Sequence, residues 1–433
     1  MDKRELLYKI RLAMVYKDVL RNAIPFLMRR YVHRFQKSQQ LAAQSLRNKK
    51  RIDVAFQLTT PSIWKWDYLF QKLQDNPRYH PYIIITPFTW YRHNDPEEID
   101  NMVERTRNYV ESKGYEYLIP YDSRRRKWIS LDKVSKPDII FFAAPYRDTP
   151  SQYYIYRFRH TFTCYAAYGF VSMQDYLRLN YGLTFASLVG AYFVESNIHR
   201  KLAAGFSKCD TANIVVTGYP GTEIFLCPDY SPDDTWKHQS APKKRIIWAP
   251  HHTIDGGGDL STFLLYCDDM IQLAKKYSDS VQFAFKPHHV LKLKLHKLWG
   301  EERTEEYYRQ WREMENTQLE EGSYVDLFLT SDAIMHDCGS FTTEYLFTRK
   351  PAMYLMRDDN MEDKFNDFGK LAFEQYYKGR SLADIEHFIE QVVVAGDDPM
   401  AEQRDRFYKD YLYSDKMPSE RILAAIEDMI NKD

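Results

Sequence analysis

The stretch Lys244-Arg-Ile-Ile-Trp-Ala-Pro-His-His-Thr253 runs four apolar residues together and stops them at a proline, and Val281-Gln-Phe-Ala-Phe-Lys-Pro-His-His289 repeats the plan. Short apolar runs with turn signals behind them read as buried strands, and Phe263 to Tyr277 between them has the spacing of an amphipathic helix. Strand, helix, strand implies a parallel sheet with crossover helices. The series continues with a helix over Arg303 to Asn316, a short helix or strand over Leu327 to Ile334, a strand at Pro351-Ala-Met-Tyr-Leu355 and a helical tail from Ser419 to Ile430. Upstream the same alternation predicts strands at Ile52 to Leu58, Tyr82 to Thr86 and after Lys136, with helices over Trp66 to Leu73 and Ile99 to Lys113. Cys227-Pro-Asp-Tyr-Ser-Pro-Asp-Asp234 is rich in turn formers and reads as the linker. Two α/β domains follow, over residues 52–235 and 236–433, the second ending in helices.

The 433 residues suit two or three domains of about 150 each. Sixty basic residues balance sixty acidic ones, and a 44% hydrophobic content is that of an ordinary globular chain, which excludes disordered and supercharged nucleic-acid-binding classes. The uncharged stretch Asn180 to Val194 falls short of the roughly 20 apolar residues that a membrane-spanning helix needs. Charge in Met1-Asp-Lys-Arg-Glu-Leu-Leu-Tyr-Lys-Ile10 stands where a signal peptide needs an apolar core, so export is not expected. Five scattered cysteines suggest neither a disulfide framework nor a zinc ribbon and fit a reducing cytoplasm.

The balance of charge hides an asymmetry: residues 1–51 hold fourteen basic residues against three acidic, a net +11. Leu6, Leu7, Ile10 and Met14, then Leu20, Ile24, Leu27 and Met28, make an apolar stripe with a possible kink at Pro25. This reads as a basic amphipathic helical arm, which is expected to lie on an anionic bilayer; packing on its own acidic domains is the alternative.

Ligands of open α/β sheets bind at the carboxyl ends of the strands, so His251, His252, Lys286, His288 and His289 are candidates for one crevice. Adjacent histidines on a strand point to opposite sides, and no H-E-x-x-H is present. Anion binding or acid–base work is therefore expected rather than a metal site, with structural roles open for each ring. Met335-His-Asp-Cys-Gly-Ser-Phe-Thr-Thr-Glu-Tyr-Leu346 reads as strand, tight turn and helix start. There Asp337, Gly339 and Ser340 offer either an anion site or plain N-capping. Gly256-Gly-Gly258 lacks the G-K-S/T of a nucleotide loop and reads as a flexible linker.

Together these segments resemble the CDP-glycerol glycerophosphotransferase family, teichoic acid polymerase-like enzymes of GT-B fold. Val216-Thr-Gly-Tyr-Pro-Gly-Thr-Glu223 is similar to the family's V-T-G-x-P-R-N-D, Trp248-Ala-Pro-His-His-Thr253 to Y-A-P-T-W-R, and Lys286-Pro-His-His289 to K/R-x-H-P. Ser331 to Pro351 resembles S-D-x-L-I-T-D-Y-S-S-x-x-F-E-Y…K-P, and Met417-Pro-Ser-Glu-Arg-Ile422 resembles A-S-E-R-I. The resemblance runs from about Val215 to the end. It implies that His288 acts at the donor pyrophosphate, that Ser340 binds phosphate, and that Asp337 and Glu344 are turn and ribose-side carboxylates. Lys286, Gly339, His251 and His252 would complete the donor site. Gly339 replaces the family's first serine, Thr253 stands where it has arginine, and its H-G-T-P, the source of the general base, is absent. Tyr168-Gly169 lies nearest that position, and His160 just upstream is the substitute base.

The resemblance implies a GT-B fold: two Rossmann-like domains facing across a cleft behind the basic arm, with the last helix crossing back to the first domain. The implied activity is transfer of a glycerol- or ribitol-phosphate unit from a CDP-activated donor to a cell-surface polymer or lipid-linked acceptor. It would take place on the cytoplasmic face of the membrane, with the protein held there peripherally, without cofactor or metal and without nucleic acid. A nucleotide-sugar glycosyltransferase of surface polysaccharide synthesis and a non-catalytic assembly protein of a polymer-export complex are the alternatives.

Overall fold

The computed structural model describes residues 25–89, 96–122, 124–125, 127–207, 211–255 and 260–432. By internal contacts the chain forms two compact units, residues 1–171, 175–223 and 415–433 in one and 172–174 and 224–414 in the other.

The first unit is built on strands β1 (Ile52–Leu58), β2 (Tyr79–Ile85) and β3 (Tyr117–Leu118), a small antiparallel pair β4 (Tyr121–Asp122) and β5 (Lys127–Trp128), and β6 (Ile139–Phe141), β7 (Phe162–Ala166), β8 (Ala191–Val194) and β9 (Ile214–Val216). Its sheet has the order β3-β2-β1-β6-β7-β8-β9, with every pair parallel. The chain steps outward from β1 to β3 and returns on the other side of β1, so the strand order reverses between β1 and β6. Residues of β7 and β8 are buried throughout, which is why these strands lack the alternation that marks a half-exposed one. Phe56 stacks on Phe141 at 4.5 Å in the core. Gly218 closes the turn after β9 at φ +86°, a conformation that favours glycine.

The second unit carries β10 (Lys244–Ala249), β11 (Val281–Phe285), β12 (Thr317–Leu319), β13 (Ala333–His336), β14 (Ala352–Leu355) and β15 (Tyr377–Gly379) in the order β12-β11-β10-β13-β14-β15, again all parallel. Its order reverses between β10 and β13. Trp248 anchors the core, its ring centroid 5.0 Å from Phe285 and 5.4 Å from Trp311. The stretch expected as helix or strand resolves into both, a helix over Val325–Thr330 and then β13.

The units divide differently from the expected 235/236 boundary. Phe225 stacks near Phe328 and Phe347, and the Tyr230 hydroxyl donates to Asp326, so the turn-rich stretch packs as part of the second unit. The final helix, Pro418–Asn431, belongs to the first, because Ile422, Ile426 and Ile430 lie one turn apart on a single face and complete its core with Leu69, Leu73 and Leu46. Arg78 donates to Glu427 at 2.9 Å beside that seam.

Only part of the expected arm is described. Residues 1–24 lie outside the described residues, but the helix Pro25–Gln44 is built into the first unit, with Val32, Phe35, Gln39, Ala42 and Ala43 buried. The Gln39 side chain bridges two elements. Its amide nitrogen donates to the Phe158 carbonyl at 3.1 Å, and its oxygen accepts from the Thr163 N–H at 2.9 Å and the Thr163 hydroxyl at 2.7 Å. Arg29, Arg30, Arg34 and Lys37 keep to the exposed side. Among the described residues, no helix is long and apolar enough to cross a membrane.

Leaving buried donors and acceptors unmade costs about 1–3 kcal/mol each, so Gln39→Leu should destabilise the chain by several kcal/mol. Lys37→Gln on the exposed side should change stability by less than about 0.5 kcal/mol. Chemical denaturation of the two variants checks this.

Candidate active site

The two Pro-His-His segments are brought together by register. Trp248 pairs with Phe285 across β10 and β11, and the ladder continues beyond both strands, with Lys286 N–H donating to the Trp248 carbonyl at 2.8 Å and His288 N–H to that of Pro250 at 3.1 Å. His251 and His288 each stand three residues beyond a paired position, so they emerge side by side. His251 and His252 lie past the end of β10, where the strand rule of opposite sides no longer applies. Their ring centroids are 4.3 Å apart, and those of His252 and His288 4.2 Å. The expectation that adjacent histidines diverge is thus corrected: three imidazoles converge, their nearest nitrogens all within 4.8 Å of one another.

Such a trio has the donor set of a transition-metal site, yet the hydrogen bonds favour a different use. Thr253 Oγ1 accepts the Leu260 N–H at 2.8 Å and the Ser261 N–H at 3.3 Å, which leaves its own hydrogen for His251 Nδ1 at 3.0 Å. Val290 N–H donates to His288 Nδ1 at 3.2 Å. Each of these neutral rings therefore carries its proton on Nε2. Two Nε2–H groups are donors, suited to an anion and unsuited to a cation. Burial lowers the pKa of His251 to about 3, of His252 to about 4 and of His288 to about 2, with His252 next in importance for His251 and His288 and Lys294 next for His252. The Lys294 ammonium adds to the depression of all three and pairs with Asp255 at 2.7 Å.

Asp337 is fully buried. Its carboxylate accepts the His251 N–H at 2.5 Å, and the Thr262 N–H and hydroxyl at 2.6 and 2.8 Å. Burial pushes its pKa up to about 6 and these donors pull it back. It thus fastens the β13 turn to the β10 turn and to the start of the helix Phe263–Lys276, and is occupied within the chain. Ser340 makes no side-chain cap bond to the short helix Phe341–Glu344, so plain capping does not account for its hydroxyl. A Cβ on Gly339 would lie 2.7 Å from Met173 Cγ, which explains glycine where the family has serine. Lys286 is buried and donates to the carbonyls of Gly322 at 2.7 Å and Glu320 at 3.4 Å. Lys350 is likewise spent on the carbonyls of Leu329 and Ser331. His289 is exposed and Glu344 buried. Residues 256–258 lie outside the described residues. Cys164, Cys227, Cys267 and Cys338 are free thiols, and Cys209 is outside the described residues.

His160 is not brought to a ligand-binding edge. It sits exposed on the turn before β7, at the amino end of the first sheet, whereas ligands gather at carboxyl ends. At that other edge lie two groups that sequence reasoning missed. Lys65 is buried, among the described residues nothing accepts from its amine, and burial lowers its pKa to about 7. Asp148, also buried, is pushed up to about 7. No spacing in the sequence marks either as buried.

The family model for CDP-glycerol:poly(glycerophosphate) glycerophosphotransferases matches residues 187–428, more than half of the chain. The chain belongs to this family. It is a transferase. No curated protein sequence matches it. Among solved structures it resembles a variant of the wall teichoic acid polymerase TagF, at 15% identity and TM-score 0.54, over 96% of this chain and 97% of that one. A TagF variant soaked with CDPG gives TM-score 0.52 at 15% identity, over 95% and 98%. A UDP-N-acetylglucosamine 2-epimerase from Listeria monocytogenes gives TM-score 0.55 at 15% identity, over 88% and 98%. At these identities the likeness shows the fold, α/β of GT-B type.

A ring that stays neutral when folded but takes a proton near pH 6.5 when unfolded costs the folded state stability as pH falls below 6.5. The His251→Asn/His288→Asn double variant should therefore gain melting temperature relative to wild type as pH drops from 7 to 5. Melting curves across that range check it, and a constant difference would mean that the rings titrate normally.

Proposed function

We propose that this transferase moves a polyol-phosphate unit from a CDP-activated donor to a cell-surface polymer or lipid-linked acceptor at the cytoplasmic face of the membrane. The observation that carries the reading is the pair of Nε2–H donors of His251 and His288, held by Thr253 and Val290 beside the Lys294 ammonium. They sit where the strand order of the second sheet reverses, the place where open α/β sheets bind ligands. A diphosphate carries the charge these donors lack. The Ser340 hydroxyl on the neighbouring turn adds another donor, and Glu344 behind it is assigned to the ribose side by family resemblance. The family membership and the TagF variant soaked with CDPG support CDP-glycerol as the donor.

In the reaction an acceptor hydroxyl oxygen bonds to the polyol-bearing phosphorus in line with the breaking bond to CMP. The electron pair leaves on CMP, and the hydroxyl proton goes to a base. The imidazole N–H groups and Lys294 stabilise the charge on the phosphoryl oxygens as it shifts toward the leaving group. Because the rings donate while neutral, they need no proton uptake to do so.

Losing one hydrogen bond to a charged group costs about 1.5–3 kcal/mol, so His288→Ala and Ser340→Ala should each weaken CDP-glycerol binding by roughly 10- to 150-fold. Calorimetry on the folded variants tests this. Unchanged affinity in both removes the second-unit site from donor binding, and release of a nucleoside diphosphate with a glycoside in place of CMP would redirect the reading to sugar transfer.

Attachment to an anionic membrane is supported by the exposed face of the helix Pro25–Gln44, where Arg29, Arg30, Arg34 and Lys37 accompany exposed Tyr31 and Leu41. Each basic residue near such a surface is worth about 1 kcal/mol. Replacing the four with Gln should cut flotation with phosphatidylglycerol vesicles by about a thousandfold in affinity while the melting temperature stays put. Equal flotation of the variant and the wild type would exclude this face.

A further inference from the structure

Two of the motifs shared with the family, which the second-unit site leaves unused, meet inside the first unit. Val216-Thr-Gly-Tyr-Pro-Gly-Thr-Glu223 is the last segment of the first unit before the chain passes into the second, and Met417-Pro-Ser-Glu-Arg-Ile422 lies just beyond the return at residue 415. Gly218, at φ +86°, brings its turn against the proline that begins the last helix, and a Cβ there would lie 3.1 Å from Pro418 Cγ. Pro418 has no N–H, so Ser419 carries the first amide that this helix leaves without an intrahelical partner. That N–H donates to Glu223 Oε2 at 3.2 Å, and the Ser419 hydroxyl donates to Glu223 Oε1. Glu223 is 1% exposed and Ser419 fully buried.

The donors that Glu223 accepts from are uncharged. The charged groups that act on it, Lys72 from the helix Asp67–Gln74 and Glu420 from the last helix, have opposite effects and pair with each other at 3.1 Å. Burial therefore prevails and raises the Glu223 pKa to about 7. In water the same carboxyl ionises at about 4.3. Between those values, parting the two residues releases a proton, so parting becomes easier as pH rises from about 4.3 to about 7.

We propose that Glu223 and Ser419 form a proton-dependent latch, which holds the start of the last helix on the turn after β9 while Glu223 is protonated and loosens as Glu223 ionises. The latch joins the segment by which the chain leaves the first unit to the segment by which it re-enters. With the proton on, one carboxyl oxygen keeps the Ser419 N–H and the carboxylic O–H donates to Ser419 Oγ, so both contacts persist without a buried charge. Opening frees the first turn of the helix, whereas Ile426 and Ile430 stay in the core of the first unit.

Hydrogen exchange of the full chain, resolved to the amides of Ser419 to Ile422 and corrected for the intrinsic rate, reads the latch. Wild-type protection at these amides should fall at least tenfold between pH 5 and pH 7.5, while that at Ile426 and Ile430 changes less than threefold. Glu223→Gln, neutral at every pH, should keep protection level across the range. Ser419→Ala should lower it at least tenfold at pH 5, and Glu420→Gln should keep the wild-type slope. Melting curves establish that the variants fold, and if Ser419→Ala does not, Glu223→Gln decides. A flat wild-type profile, a slope retained in Glu223→Gln or wild-type protection in a folded Ser419→Ala would each overturn the proposal. Loss of the slope in Glu420→Gln would assign the titration to Glu420 and overturn it as well.

Discussion

In the second unit, everything at the candidate site hangs on the parallel register of β10 with its two neighbours. Trp248 opposite Phe285 on one side and Ala249 opposite His336 on the other bring three turns to one edge, and the Asp337 carboxylate ties two of them by bonding His251 N–H and Thr262. A slip of one residue would turn alternate side chains through the sheet. It would send Trp248 out of the core and carry His251 away from His288. The stacked Trp248, Phe285 and Trp311 rings therefore guard the chemistry as well as the fold, since their burial makes that slip expensive.

Backbone amides then do the electrostatic work. Leu260 and Ser261 occupy the acceptor capacity of Thr253, and Val290 occupies Nδ1 of His288. The rings are left as neutral donors in a place where imidazolium would be expensive. A neutral N–H is weaker than a cation but loses less on leaving water, and the nearby Lys294 supplies the charge from a partly exposed position. Lys286, expected at the donor site, is spent on backbone carbonyls, as is Lys350, and both hold loops in place.

The helix Pro25–Gln44 shows how one segment serves two solvents. Gln39 and Phe35 face the first sheet while Arg29, Arg30, Arg34 and Lys37 face out. Its net charge was readable in the chain, whereas most of the apolar stripe read there lies outside the described residues; in the described helix Val32, Phe35 and Ala43 are buried in the protein and the charged side is left for another surface.

Much of the fold was legible because it is local. The runs Ile52 to Leu58 and Val281 to Phe285 form strands with those ends, and the helices at Phe263–Lys276 and Pro418–Asn431 follow their apolar spacing. Strands β7, β8 and β9 were not legible: β7 and β8 are short and buried throughout, and β9 has only three residues, so that neither length nor alternation distinguishes them. The order of motifs was enough for the family, since each motif is a contiguous turn whose residues need one another. Sidedness was beyond the sequence: whether His251 and His252 converge depends on where β10 stops, and His160 lies at the wrong end of β7 for a reason visible only once the strand has a direction. The glycine at 339 answers to Met173, distant in sequence, and Asp148 gains its character from burial. Local pattern determined which elements form and what chemistry their turns carry. Tertiary structure decided which of those groups meet, which are spent on backbone and which stay unpaired, because burial and register depend on residues far apart in the chain.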